Sequence, residues 1–136
     1  MEFKVEGSRR NKKFIEAILP SMIKQLALQN SRKGVVIRVA DECGGDSGLT
    51  VDLSNATGCY MVVIKPHRKL KEIGLTLAHE MVHVKQMAKG VLKSTTKGTH
   101  LWAGKCYKKT TPYLDRPWEI EAFSRQELIL RRAIED

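Results

Sequence analysis

An α+β fold is predicted by three features of this 136-residue chain: helical hydrophobic periodicity near its start, short β-branched runs between turn-forming residues in its middle, and two further helical stretches separated by a loop. The length suits one core and leaves no room for a second module, so residues 1–136 are read as a single domain.

The elements follow in chain order. From about Asn11 to Asn30 the residues Phe14, Ile15, Ile18, Leu19, Met22, Ile23, Leu26 and Ala27 recur at three- and four-residue intervals, the spacing of an amphipathic helix, with Pro20 expected to kink it. After Gly34, the run Val35 to Val39 is β-branched, Asp41 to Gly48 is rich in turn formers, and Leu49 to Leu53 and Cys59 to Ile64 read as extended. The result is a small sheet of about three strands. Helical spacing returns from about Lys69 to Lys89 through Leu70, Ile73, Leu77, Met81, Val84 and Met87, and Gly90 stands where such a helix stops. Residues 91–116 contain Gly98, Gly104, Pro112 and several threonines, and read as a long loop, with room for a hairpin, covering one wall of a site. Pro117 suits the first turn of a last helix running to about Glu135. No repeat or low-complexity tract interrupts this order.

Charge and composition narrow the partners. A net charge of +9 attracts phosphate, yet the basic residues fall in four short clusters, Arg9 to Lys13, Lys65 to Lys71, Lys105 to Lys109 and Arg131–Arg132, rather than one tract. A solvated surface is therefore preferred, with non-specific nucleic acid or an acidic protein partner kept as the other reading. No stretch approaches the roughly 18 apolar residues of a membrane span, and Met1 to Arg10 lacks the apolar run of a secretion signal, so no membrane partner and a cytoplasmic location are expected. Cys43, Cys59 and Cys106 are odd in number without Cys-x-x-Cys spacing, which points to a reducing compartment and to small buried side chains. A monomer is expected.

The chemistry concentrates in His79-Glu80-Met81-Val82-His83, on the second long helix. The chain's own His and Glu content would produce this pattern by chance only about 0.01 times, so it is weighed as a site. Residues at i and i+4 share a helix face, letting His79 and His83 direct ring nitrogens at one Zn2+, while Glu80 beside them serves as general base. Catalytic zinc takes a third protein ligand, and His100, Asp115, Glu119, Glu121 and Glu127 are the candidates. On a helical projection Glu119 falls within about 20° of the centre of the last helix's apolar stripe, whereas Glu121 lies on the polar side, within reach of Arg125. A carboxylate on a buried face is costly unless a cation offsets it, so Glu119 is the preferred ligand and His100 its rival.

Such a site supports attack of an activated water on a carbonyl, with Glu80 passing the proton to the leaving amine. Tyr113 is the favoured donor to the developing oxyanion, with His100 and Tyr107 as competitors. Cys59 to Ile64 is a candidate strand for lining the cleft and pairing with an extended substrate; an ordinary internal strand is the alternative.

Leu77 to Gln86, then Trp102, Gly104 and Tyr107, then Tyr113 and Pro117-Trp118-Glu119-Ile120-Glu121-Ala122 together resemble small gluzincin-type zinc metallopeptidases, the minigluzincins, and phage chains that look like SprT-like domains. The resemblance spans roughly residues 59–125. It implies a zinc-dependent metalloendopeptidase acting on peptide or protein substrates, in the host cytoplasm if phage-encoded. It also implies a zincin-like fold: an N-terminal helix, a three- to four-stranded mixed sheet with an edge strand beside the cleft, and two zinc-holding helices. In these families a glutamate three residues before an alanine is the third ligand, which maps onto Glu119 and Ala122. Two features depart from the pattern. SprT-like enzymes proper use a third histidine and often a Cys-rich zinc ribbon, and Phe123 stands where thermolysin-like relatives carry an acidic residue. The alternatives to a general peptidase are a zinc hydrolase of DNA-associated proteins, a zinc-binding protein without turnover, and hydrolysis of a non-peptide amide.

Overall fold

The computed structural model describes residues 1–95 and 97–136. Its main sheet has four strands, β1 (Phe3–Glu6), β2 (Gly34–Val39), β3 (Gly48–Leu53) and β4 (Cys59–Ile64), in the order β1-β2-β4-β3. β1 and β4 flank β2 in parallel, and β3 runs antiparallel to β4 at the sheet edge, so the sheet is mixed. β1 is a strand the sequence did not announce. Its Lys4 and Glu6 alternate with Phe3 and Val5, and only Val5 is fully buried, so the segment resembles a charged terminus until it pairs with β2.

Three helices pack on one another and on the sheet: α1 (Arg9–Gln25), α3 (Leu70–Ala88) and α4 (Pro117–Glu135), with a one-turn α2 (Ser54–Thr57) between β3 and β4. α1 starts earlier than its apolar spacing suggests, because Ser8 Oγ accepts the Asn11 N–H at 3.3 Å and caps it. It runs on past Pro20 and ends at Gln25 rather than Asn30; Ala27 sits at φ 56°, a turn that still buries Leu26 and Leu28. Ile15, Leu19, Ile37, Val62, Ile73, Leu77 and Met81 meet in the core with no exposed surface. α3 closes at Gly90, in the left-handed region at φ 73°. Within α3, a Cβ on Gly74 would stand 2.6 Å from Leu130 Cδ1, so this glycine sets how closely α3 and α4 approach.

Residues 91–116 are not a single loop. Among the described residues they form a second, antiparallel sheet of β5 (Leu92–Ser94), β6 (His100–Trp102) and β7 (Lys105–Tyr107), with β6 central, followed by a 3-10 turn at Tyr113–Asp115. The β6–β7 hairpin turns on Ala103 and Gly104, both at positive φ. Each strand has three residues, too few to show a period.

Of the two readings of Cys59 to Ile64, the ordinary internal strand is the one found: β4 is hydrogen-bonded on both sides and cannot accept an added strand, and β3 is the edge that borders the cleft. A further expectation is corrected. The stripe buried by α4 is narrower than the sequence suggested, made of Trp118, Ala122, Ile129, Leu130 and Ala133, while Ile120, Phe123, Leu128 and Ile134 are exposed. The cysteines also divide: all three are free, but only Cys43 is buried, Cys59 is half-buried and Cys106 exposed.

No helix is long and apolar enough to cross a membrane among the described residues. Two of the four basic clusters meet in space, since Arg10 Nη2 donates to the Arg68 carbonyl at 2.7 Å and joins the start of α1 to the turn before α3.

Candidate metal centre

His79, Glu80 and His83 sit in the middle of α3 and are each more than nine-tenths buried. Helical spacing puts both imidazoles on the face turned to α4, with ring centroids 4.9 Å apart. One donor atom from each of the three residues lies within 4.8 Å of the others, a cluster able to hold a metal ion.

α4 brings in the carboxylate. Glu119 Oε1 stands 2.8 Å from His79 Nε2 and 2.8 Å from His83 Nε2, so the three side chains converge on one point. Glu119 lies at the rim of the narrow buried stripe rather than at its centre, which turns its carboxylate to the cleft and not into the core. Glu121, expected to pair with Arg125, instead accepts from Gln86 Nε2 at 3.0 Å.

The other ring nitrogens are held too. His79 Nδ1 is 2.8 Å from Gln126 Oε1, and His83 Nδ1 is 2.8 Å from Gln86 Oε1. For Gln86 the amide orientation is fixed by its second end, because its nitrogen donates to the Trp118 carbonyl and to Glu121, both at 3.0 Å. His83 therefore carries its proton on Nδ1, and its Nε2 presents a lone pair to Glu119 unless it is protonated as well. A lone pair and a carboxylate oxygen at 2.8 Å repel without a positive charge between or upon them. The donor set thus fits a cation, and in its absence protons take that role. Burial works against a charged His83, yet its bond to Glu119 and the charges of Glu80 and Glu119 outweigh that and raise its pKa. Burial likewise works against an ionised Glu119, but the bonds from His79 and His83 prevail and hold the carboxyl far below the usual range.

Glu80 stands apart from this trio. Thr50 Oγ1, from the edge strand β3, donates to Glu80 Oε1 at 2.7 Å, and burial raises the Glu80 pKa. β3 can approach this closely because Gly48 has no side chain: a Cβ there would lie 3.0 Å from Glu80 Oε2 and 2.7 Å from Thr76 Cγ2.

A cleft of about 580 Å³ opens over these groups, walled by β3, α3, the second sheet and the start of α4. Tyr113 lines it from the 3-10 turn, half exposed, its hydroxyl pushed up in pKa by burial and by the charge of Glu119, so that it remains a donor. His100 also lines it but stacks on Trp118 at 4.9 Å, with its pKa lowered by burial and by Arg116, and makes no bond to the His79–His83 pair among the described residues. Tyr107 packs edge-on against Trp118 at 5.5 Å and does not line the cleft. His67 is exposed, its Nδ1 accepting from the Lys69 N–H at 3.0 Å.

Gly48, Thr50, Gln86 and Gln126 also belong to the site, although their roles do not stand out in the sequence. Gln86 had a signal, one turn beyond His83 on the same helix face; Gly48 and Thr50 had none, since they reach the site only through the register of β3 on β4. No protein-family model, no curated protein and no solved structure matches this chain.

Proposed function

We propose that this chain is a zinc-dependent metallopeptidase of zincin-like fold, similar to the small gluzincins, that hydrolyses peptide bonds. Support comes from one observation above all: two imidazole nitrogens and one carboxylate oxygen from separate helices meet at 2.8 Å, while a second carboxylate, Glu80, stands beside them on its own hydrogen bond to Thr50. His79, His83 and Glu119 would hold the ion, which when bound supplies a Lewis acid and acidifies water to a pKa of about 7.

The chain's own residues then divide the work. Gln86 and Gln126 fix the imidazole planes, so the donor atoms are set before any ion arrives. Glu80, kept basic by burial and oriented by Thr50, takes the proton of the attacking water and returns it to the leaving amine. Tyr113, held protonated, donates to the oxygen that gains charge at the scissile carbonyl.

The test is cleavage of a peptide library by the zinc-loaded chain and by its Glu80→Ala variant. Cleavage by the first, with retained zinc and lost cleavage in the second, supports the proposal; equal background activity in both would leave a zinc-binding protein without turnover.

A second reading, action on DNA-associated proteins, is favoured by the contact of Arg10 with the Arg68 carbonyl, which brings residues of two basic clusters together. Duplex DNA binding that weakens steeply with salt would support it, and weak binding with no salt slope would remove it.

A further inference from the structure

Four of the large apolar side chains that α4 and the turn before it leave exposed lie together: Tyr113, Leu114, Ile120 and Phe123 are 42%, 78%, 54% and 49% exposed. With Glu119 and Ser124 they line a recess of about 460 Å³ that opens beside the metal centre and shares Tyr113, Glu119 and Phe123 with the main cleft. Two of its three polar side chains are already committed. Ser124 Oγ donates to the Glu121 carbonyl at 2.8 Å, and Glu119 is turned to the two histidines. Apart from the Tyr113 hydroxyl, what the described residues leave for an occupant is apolar wall.

We infer that this recess is a specificity subsite that receives a bulky apolar side chain of the substrate, next to the bond that is cut. The inference rests on the peptidase reading. Continuity with the cleft supplies the occupant: the two share Tyr113, Glu119 and Phe123, so a chain laid over the Glu119 carboxylate can turn a side chain into the recess and out of water. Phe123 ties the recess to the ligands as well: its ring meets His79 edge-on at 4.7 Å and Tyr113 at 5.8 Å. Leu114 and Ile120 line the recess and not the main cleft, so they are the cleaner probes of selectivity.

Two measurements test this on the zinc-loaded full chain. In a peptide library the wild type should cut best where Phe, Leu or Met flanks the bond. Ile120→Lys and Leu114→Lys, at exposed positions that the fold does not need, should lower the preference for such peptides over alanine-flanked ones by about tenfold while keeping wild-type zinc content. In the Glu80→Gln variant, N-acetylphenylalanine amide should shift the methyl resonances of Leu114 and Ile120, and N-acetylalanine amide should not. A preference unchanged in both lysine variants, or methyls equally indifferent to the two amides, overturns the subsite. If the zinc-loaded wild type cuts no peptide at all, the peptidase reading fails and the subsite with it.

Discussion

Gln86 holds His83 and α4 in one grip. Its side-chain oxygen is 2.8 Å from His83 Nδ1, and its nitrogen donates to the Trp118 carbonyl at 3.0 Å, one residue before Glu119. A single amide thus sets the ring plane of one candidate ligand and anchors the backbone beside another.

Gln86→Leu is therefore expected to weaken zinc binding by about 10- to 100-fold, the usual cost of removing a partner from a ligating histidine. The Trp118 carbonyl and Glu121 lose their donor as well, so stability should fall by about 1–3 kcal/mol. Competition with a chromophoric chelator and thermal unfolding check the two effects separately.

Thr50→Val removes the hydrogen bond that favours ionised Glu80. The Glu80 pKa should then rise further, and because a base works only when ionised, the acid limb of kcat/KM should move to higher pH. Zinc content should stay that of the wild type. A pH profile beside metal analysis decides it.

Gly74→Ala should destabilise the fold. The added methyl would stand 2.6 Å from Leu130 Cδ1, and the overpacking, about 1–3 kcal/mol, outweighs the gain in helix propensity of about 0.5–1 kcal/mol. A lower midpoint in denaturant with an unchanged slope is the expected result.

Without metal, stability should peak in mildly acidic solution. Glu119 has its pKa depressed, so its contribution is complete above the ordinary value of 4.5 and is lost as pH falls through the folded value. His83 has its pKa raised, so its contribution is complete below 6.5 and is lost as pH rises through the folded value. Zinc needs the histidines deprotonated, and should therefore raise the melting temperature more at pH 8 than at pH 5. Melting curves with zinc and with chelator at both values measure this.

How much was legible in the sequence depended on whether a residue's role is local. His79, Glu80 and His83 announce themselves because one helix fixes their geometry, and the helices themselves were visible in their periods. Glu119 was also singled out and does meet both histidines, although for a partly mistaken reason: it sits at the rim of a stripe that excludes Ile120 and Phe123, not at the centre of a wide one. The residues that were missed act across the chain. β1 hides behind alternating charge until β2 pairs with it, and Thr50 reaches Glu80 only once β3 has docked beside β4. Of the two readings kept for β4, the ordinary internal strand is the one found, as its hydrophobicity implies, whereas the free edge beside the cleft belongs to the half-polar β3.

The most direct test is the zinc content of dialysed wild type, Glu119→Ala and Glu80→Gln measured side by side. About one ion per chain in the wild type and in Glu80→Gln, with little or none in Glu119→Ala, is the expected outcome for a centre of two histidines and one distant carboxylate. Zinc retained by Glu119→Ala and lost by Glu80→Gln would contradict it, assigning the metal to the His79–Glu80–His83 cluster of α3 alone and leaving the chain without its base.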